Sequence, residues 1–165
     1  MINFREFLDK AKTKEKTLYV CRPLLNGKEV RKWAKKYLCD TCLDPDDMHV
    51  TIAFSKEKVN WKEFKPQKDK LKIKVDQLAP SKLGDKGAVV LKFKSDELQK
   101  RWKEFKDGGC SWDYPSYQPH VTMTYDYKGS DSNLNDVDTF SGEFMFGPEK
   151  FAEVEEDWDK TITEK

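Results

Sequence analysis

The stretch Tyr117-Gln118-Pro119-His120-Val121-Thr122-Met123-Thr124 decides the interpretation of this sequence, because its central triplet His120-Val121-Thr122 recurs earlier as His49-Val50-Thr51, after Met48. The chain has 2 histidines, and both stand two residues ahead of a threonine. A single histidine in a strand is usually a structural residue that hydrogen-bonds to a neighbour. Two histidines in the same triplet predict a paired functional site.

Alternating polarity predicts that both triplets lie on strands with one polar and one apolar face, since successive side chains of a strand point to opposite faces. The polar faces carry His49, Thr51 and Ala53 in the first run and His120, Thr122 and Thr124 in the second. The opposite faces, predicted to be core, carry Met48, Val50, Ile52 and Phe54, and then Val121, Met123 and Tyr125. Each threonine hydroxyl is expected about 6 to 7 Å along the strand from its histidine.

Periodicity along the rest of the chain predicts an α+β protein. A helical repeat of apolar side chains marks helices near residues 3–13, 30–38 and 95–107, the last capped by Ser95 and ended by Gly108-Gly109. Alternation marks strands near residues 18–21, 71–76, 89–94 and 140–146. Because each His-Val-Thr triplet follows a helix and a polar loop, we predict one domain, residues 1–165, whose two similar lobes each offer a histidine strand to a common cleft.

Composition excludes several classes of protein. Hydrophobic residues make up 37% and aromatic residues 13% of the 165 residues, which is sufficient for a core. Lys+Arg (31) and Asp+Glu (30) nearly cancel, so the chain lacks the diffuse basic charge that binding to long nucleic acid requires. No apolar run approaches the roughly 20 residues of a membrane span, and the N-terminus lacks a signal-peptide pattern. We expect a soluble cytoplasmic protein with no membrane or long nucleic-acid partner.

Two imidazoles and two hydroxyls that face one cleft suit in-line displacement at phosphorus. One histidine, neutral near pH 7, takes a proton from the incoming oxygen, and its protonated partner gives a proton to the leaving oxygen. Threonine hydroxyls can donate hydrogen bonds to the non-bridging oxygens, where negative charge is held in the transition state. The pattern therefore predicts catalysis by His49, Thr51, His120 and Thr122, with no metal and no cofactor; either histidine can be the base.

The spacing Cys39-Asp40-Thr41-Cys42 is the main rival signal, because these cysteines and His49 could supply three zinc ligands. Structural zinc takes four ligands, usually in two pairs. The remaining candidates, Cys21, Cys110 and His120, are isolated in the sequence. Since reduced thiols are the usual state in a cytoplasmic protein, we expect free cysteines that pack in the core and no metal site.

The two His-x-Thr triplets, and residues 117–124 above all, resemble the signature of the 2H phosphoesterase superfamily. This resemblance implies a bilobal fold in which two pseudo-symmetric antiparallel-sheet lobes, flanked by helices, enclose a central cleft. Members act on 2′,3′-cyclic phosphates, 2′–5′ linkages or cyclic oligonucleotides. Within the superfamily, the chain length, the N-terminal helix start and residues 48–51 resemble the phage anti-CBASS nucleases, which degrade the cyclic di- and trinucleotide messengers of bacterial antiphage defence.

The resemblance implies a phosphodiesterase of the bacterial host cytoplasm. One histidine would activate the ribose 2′-OH beside a 3′–5′ linkage while the other protonates the leaving 5′ oxygen. A 2′,3′-cyclic phosphate forms, and water then opens it to a 3′-phosphate. Two alternatives within the superfamily are hydrolysis of 2′,3′-cyclic phosphate ends on short RNA and of 2′–5′ bonds. The alternative of another class is a non-catalytic protein that sequesters cyclic nucleotides.

Aromatic residues near the triplets are candidates for binding the bases of such a substrate, because stacking contributes about 1 to 3 kcal/mol per base. The candidates are Tyr19 on the first strand, Trp112 and Tyr117 in the loop before His120, and Trp158 in the acidic tail. Packing at the surface is the alternative for each, and for Tyr19 also packing in the core. Positive potential could come from Arg22, Lys92 and Lys94, although lysines on a strand are usually only solvated.

Overall fold

A computed structural model of the protein describes residues 15–84 and 86–155. The predicted helix at residues 3–13 and the candidate Trp158 lie outside these ranges. The strands are β1 (Lys16–Pro23), β2 (His49–Val59), β3 (Leu71–Leu78), β4 (Pro80–Leu83), β5 (Ala88–Lys92), β6 (His120–Thr124), β7 (Phe140–Phe146) and β8 (Lys150–Ala152). The helices are α1 (Gly27–Tyr37), α2 (Asp96–Asp107) and α3 (Asp131–Asn135), with 3₁₀ turns at Pro45–Asp47 and Trp61–Glu63.

The strands form three antiparallel sheets, which confirms the predicted α+β class. One three-stranded sheet has the order β2-β1-β8 and another has the order β4-β5-β6. Strands β3 and β7 pair separately, and a bridge between Leu24 and Phe146 connects this pair to the end of β1. Within the part of the chain that the structure describes, each histidine strand is thus the edge of its own three-stranded sheet, and β2 and β6 approach each other.

The two longer helices form where the apolar repeat predicted them. In α1, Val30 and Ala34 are fully buried, while lysines occupy the solvated face. In α2, the Ser95 hydroxyl accepts a hydrogen bond from the backbone N–H of Leu98, as expected of an N-cap. Both helices therefore cover the sheets with one apolar face. Within the described ranges, neither these nor any other helix is long and apolar enough to cross a membrane.

Strand β2 contains an extra residue three positions after its histidine. In the pairing with β1, Val20 lies opposite Ala53 and Cys21 lies opposite Thr51, so Ile52 has no opposite residue. Such a bulge shifts the alternation of side chains between the two faces. The predicted placement of Ala53 on the histidine face is therefore wrong: Ile52 and Ala53 are both buried, at 0% and 1% exposure.

Strand β6 contains the same irregularity at the same place. Val89 lies opposite Thr124 and Val90 lies opposite Thr122, so Met123 has no opposite residue. Thr122, Met123 and Thr124 are consecutively buried, and Thr124 is fully covered, contrary to the polar face predicted for it. The repeat seen in the sequence thus extends to the backbone: each lobe has a histidine, a threonine two residues later and a bulged residue directly after that threonine.

The cysteines differ from the prediction. Cys39 and Cys42 form a disulfide bond, while Cys21 and Cys110 are free thiols. The expectation that all four cysteines are reduced is therefore wrong for this pair, because α1 ends just before Cys39 and the turn that follows brings the two sulfurs together. Two sulfurs bonded to each other are not thiolate ligands, so the zinc alternative loses two of its three proposed ligands.

Candidate active site

The His49 ring is held by the turn that immediately precedes its strand. Its Nδ1 lies 2.7 Å from the carbonyl oxygen of Asp47, the last residue of the 3₁₀ turn. The Asp44 side chain caps this turn by accepting from the backbone N–H of Asp46. Gly27 packs so closely against the turn that a Cβ atom there would lie 2.7 Å from the carbonyl oxygen of Pro45. The carbonyl that orients His49 is thus fixed from both sides.

The His120 ring is held in the same way. Its Nδ1 lies 2.9 Å from the carbonyl oxygen of Gln118, again two residues earlier. The Gln118 side-chain amide donates to the carbonyl oxygen of Phe93, and the backbone N–H of Phe93 donates to the carbonyl of Pro119. These bonds tie the segment before β6 to the chain that leaves β5, and so fix the second orienting carbonyl.

The matching contacts determine which nitrogen of each ring carries the hydrogen. A carbonyl oxygen can only accept a hydrogen bond, so Nδ1 carries the hydrogen in His49 and in His120. The chemically active atom is therefore Nε2 in both rings. When a ring is neutral its Nε2 can accept a proton, and when the ring is protonated its Nε2 can donate one.

Burial lowers the pKa of both histidines below the ordinary value of 6.5. For His49 the loss of solvent dominates, and the hydrogen bond to the Asp47 carbonyl together with the Asp47 charge partly opposes the lowering of its pKa. For His120 the loss of solvent again dominates the lowered pKa, the bond to Gln118 opposes it, and the positive charges of His49 and Lys92 lower it further. The two rings therefore interact electrostatically across the two lobes.

Thr51 has contacts with two tyrosines. Its hydroxyl oxygen lies 3.1 Å from the hydroxyl oxygen of Tyr19 on β1, and its carbonyl oxygen accepts a hydrogen bond of 2.7 Å from Tyr117. The Tyr19 ring also meets the His49 ring edge to face, with 6.3 Å between centroids. Burial raises the pKa of both tyrosine hydroxyls, so both remain protonated. Tyr19 thus lies beside the first triplet, and its role in binding a base stays a prediction.

The predicted aromatic residues of the loop before β6 have different surroundings. Tyr117 is 5% exposed and its ring stacks on Trp102 of α2, at 5.7 Å between centroids and 11° between planes. A covered ring of this kind does not offer a face to a nucleobase, contrary to the stacking role expected for it. Trp112 is half-buried and meets both rings edge to face, whereas Tyr114 at the loop tip is 70% exposed.

The positive charges predicted near the site are separated by the fold. Arg22 is 3% exposed, and its guanidinium donates to the carbonyl oxygens of Asp69 and Gly147, so it serves the core rather than the cleft. Lys92 is exposed and pairs with His120 across β5 and β6. The sequence alone gave little reason to place the charge of Lys92 near the site, because only the strand pairing puts it opposite His120.

Two orienting contacts were not anticipated from the sequence. Asp47 and Gln118 act through backbone carbonyls, which carry no side-chain signature, although both lie two residues before a histidine.

Among the described residues, no group of three or more His, Cys, Asp or Glu side chains is arranged to hold a metal ion. Cavities of about 550 Å³ beside α1 and about 430 Å³ beside Arg22 are not lined by either histidine. The candidate site therefore rests on the geometry of its side chains.

Solved structures define the class to which this fold belongs. A crystal structure of E. coli LigT complexed with ATP aligns with a TM-score of 0.60 at 11% identity, over 92% of this chain and 93% of that one. A crystal structure of a phosphoesterase aligns with a TM-score of 0.59 at 12% identity, over 84% and 87% of the two chains. The protein has the 2H phosphoesterase fold, with one His-x-Thr triplet on an edge strand of each lobe.

The chain belongs to the anti-CBASS protein Acb1 family, whose model matches residues 16–161. Acb1 proteins of Caulobacter sp. (strain RHG1) and Sphingomonas paeninsulae are 42% and 43% identical over 92% and 87% of this chain. The Acb1 protein of Vibrio phage KVP40 is 37% identical over 51% of it. The match covers only 25% and 24% of the length of the two bacterial relatives and 54% of the length of the phage protein.

Proposed function

We propose that the protein is a phosphodiesterase that hydrolyses the 3′–5′ bonds of cyclic di- and trinucleotide defence signals by acid–base catalysis with two histidines. The observation that carries the proposal is the matched pair of Nδ1–H donors to the Asp47 and Gln118 carbonyls, which leaves two Nε2 atoms for chemistry. Membership of the anti-CBASS family supports the substrate class. The LigT structures with ATP and 3′-AMP are nucleotide complexes of a protein with the same fold.

The first chemical step is transfer within the substrate. Nε2 of one histidine takes the proton of the ribose 2′-OH, and the 2′ oxygen forms a bond to phosphorus. The bond from phosphorus to the 5′ oxygen breaks, and that oxygen takes a proton from Nε2 of the other histidine. The Thr51 and Thr122 hydroxyls donate to the non-bridging oxygens as charge builds on them. The products are an opened chain with a 2′,3′-cyclic phosphate and a free 5′-OH.

The second step hydrolyses the cyclic phosphate with the histidine roles reversed. The histidine that was left unprotonated takes a proton from water, and the other returns its proton to the 2′ oxygen as the ring opens. The enzyme is thereby restored to its starting protonation, and a terminal 3′-phosphate remains. Every proton moves between substrate, water and the two rings.

The test is turnover of a panel of cyclic di- and trinucleotides in EDTA, with products separated by chromatography. We expect wild-type protein to open at least one cyclic nucleotide, and His49→Ala and His120→Ala each to lose turnover while still binding it. Lys58→Ala is the matched control, because Lys58 is an exposed residue of the same strand β2. Undiminished turnover by either histidine variant would contradict the proposal.

The same panel separates the alternatives. Preference for short RNA ending in a 2′,3′-cyclic phosphate, or for a 2′–5′ linkage, would leave the proposed acid–base mechanism in place. It would replace cyclic nucleotides as the proposed substrate. Tight binding without any product from wild-type protein would instead indicate a sequestering protein. Turnover that disappears in EDTA and returns on addition of a divalent metal would overturn the metal-independent mechanism.

A further inference from the structure

We propose that Tyr117 is a positioning residue that sets the second His-x-Thr triplet against the first, through the hydrogen bond from its hydroxyl to the carbonyl oxygen of Thr51. The inference rests on the proposed function in one respect: the two triplets must act on the same phosphate. It assigns to Tyr117 a role other than contact with substrate.

The bond joins the two lobes at the triplets themselves. Tyr117 lies three residues before His120, in the segment that enters β6, and Thr51 is the threonine of the first triplet. The two residues are 66 positions apart, and the donor and acceptor oxygens are 2.7 Å apart. A single side-chain contact therefore connects the approach to one catalytic strand with the backbone of the other.

Tyr117 is itself rigidly held. Its ring stacks on Trp102, and Trp112 packs against it edge to face at 5.6 Å between centroids. The side-chain amide of Gln99, on the same helix α2 as Trp102, donates to the Tyr117 carbonyl at 2.6 Å. These contacts fix the position of the Tyr117 hydroxyl. A shift of the segment before His120 must therefore either disturb these contacts or break the bond to Thr51.

A second bond between the lobes is the counterpart of the first. The backbone N–H of Leu43, in the segment that leads toward His49, donates to the carbonyl oxygen of Met123 at 2.8 Å. Met123 is the bulged residue of β6, and Thr51 directly precedes the bulged Ile52 of β2. Each triplet is therefore bonded, at its bulge, by the segment that leads into the other. Backbone carbonyls at a bulge leave the regular ladder and so can serve this purpose.

The reciprocal bonds fix the position of one triplet relative to the other. In-line transfer needs one ring at the attacking oxygen and the other at the leaving oxygen, and a misplacement of about 1 Å can reduce the rate about 100-fold. The Leu43 bond involves only backbone, so only proline would remove it, and proline would also restrict the backbone there. The Tyr117 bond can be removed by deleting one oxygen atom.

The test compares Tyr117→Phe with Tyr127→Phe. The first variant keeps the stacked ring and loses the hydroxyl. The second is the matched control, since the Tyr127 hydroxyl also donates to a backbone carbonyl, that of Ser130, but in an exposed loop. The first readout is NMR titration of the two imidazoles in the ligand-free protein, which are resolved because the chain has 2 histidines. We expect the His120 midpoint to rise toward 6.5 in Tyr117→Phe and to stay unchanged in Tyr127→Phe.

The second readout is steady-state kinetics on the cyclic nucleotide that the wild-type protein opens. We expect Tyr117→Phe to lower kcat by about 10- to 100-fold with KM within about twofold of wild type, because orientation and not binding is lost. Wild-type titration and wild-type kcat in Tyr117→Phe would overturn the inference. A raised KM with unchanged kcat would also overturn it, since that result indicates a contact with substrate.

The two proposals can fail separately. If no nucleotide is turned over by wild-type protein, the proposed function fails, while the titration of ligand-free Tyr117→Phe still decides whether this residue links the triplets. Gln99→Ala provides a second variant on an exposed helical position, should Tyr117→Phe not fold. Gln99→Ala removes the hydrogen bond to the Tyr117 carbonyl oxygen, and we expect the titration midpoint of His120 to rise less than in Tyr117→Phe. No change in that midpoint would count against the inference.

Discussion

The hydroxyl oxygens of Tyr19 and Thr51 lie 3.1 Å apart, on adjacent strands β1 and β2. Burial raises the pKa of Tyr19, so its hydroxyl keeps its proton, and either hydroxyl can be the donor in this contact. When Tyr19 donates, the hydrogen of the Thr51 hydroxyl is left for another acceptor. In the proposed mechanism that acceptor is a non-bridging phosphate oxygen, and the contact with Tyr19 orients the Thr51 hydroxyl toward it.

This relationship predicts the effect of Tyr19→Phe. The variant keeps the ring beside His49 and removes only the hydrogen bond, whose loss is worth about 0.5–1.5 kcal/mol. We expect kcat/KM to fall by about 2- to 13-fold. Thr51→Val removes the proposed donor to the phosphate and should reduce kcat by about 100-fold or more. Tyr37→Phe, at an exposed position of α1, is the control. Equal losses of kcat/KM in Tyr19→Phe and Tyr37→Phe would contradict the role assigned to the Tyr19 hydroxyl.

The lowered histidine pKa values predict the pH dependence of the reaction. The productive enzyme has one neutral and one protonated ring, so activity falls below the lower pKa, where no base remains, and above the higher pKa, where no acid remains. Since both pKa values lie below 6.5 in the free protein, the optimum of kcat/KM should lie on the acid side of pH 6.5. A bound phosphate anion favours the protonated rings, so the optimum of kcat should lie at higher pH. A kcat/KM optimum above pH 7 would contradict these shifts.

Lys92 should contribute to binding of the anionic substrate. It is exposed opposite His120, and its charge lowers the His120 pKa. We expect Lys92→Gln to raise KM by about 3- to 10-fold, in keeping with one partly solvated charge contact. NMR titration of this variant should show a higher His120 pKa, because a neighbouring positive charge is removed. Lys100→Gln, an exposed lysine on α2, should change neither quantity, and the KM difference should shrink in high salt.

The ion pair between Arg101 and Glu149 predicts a strong effect on stability. The guanidinium Nε and Nη2 atoms each lie 2.9 Å from a carboxylate oxygen, and the Glu149 side chain is 0% exposed. Removing one partner of such a pair costs about 3–5 kcal/mol, and because Arg101 keeps its pair with Glu104 at 2.8 Å the loss should lie at the lower end, about 3 kcal/mol. We expect Glu149→Ala to lower the free energy of unfolding by this amount in urea titrations. Asp107→Asn breaks the exposed pair with Lys103 and should change it by no more than about 0.5 kcal/mol.

Local repeats in the sequence were sufficient for most secondary structure. The apolar stripe through Val30 and Ala34, and the cap at Ser95, predict helices that the structure confirms, because a helix is defined by neighbours three and four residues apart. Alternation also places strands at both triplets. It fails directly after Thr51 and after Thr122, because a bulge depends on which residue of the partner strand lies opposite.

The sequence by itself determined which side chains the candidate site offers, since two histidines in matching His-Val-Thr triplets carry the groups that the proposed acid–base transfer at phosphorus needs. Only the tertiary structure decided how those side chains are oriented. The carbonyls of Asp47 and Gln118, the hydroxyl of Tyr19 and the bond from Tyr117 to Thr51 are invisible in a repeat. Carbonyls carry no residue identity, and contacts between residues 32 or 66 positions apart exist only once the two lobes have packed together.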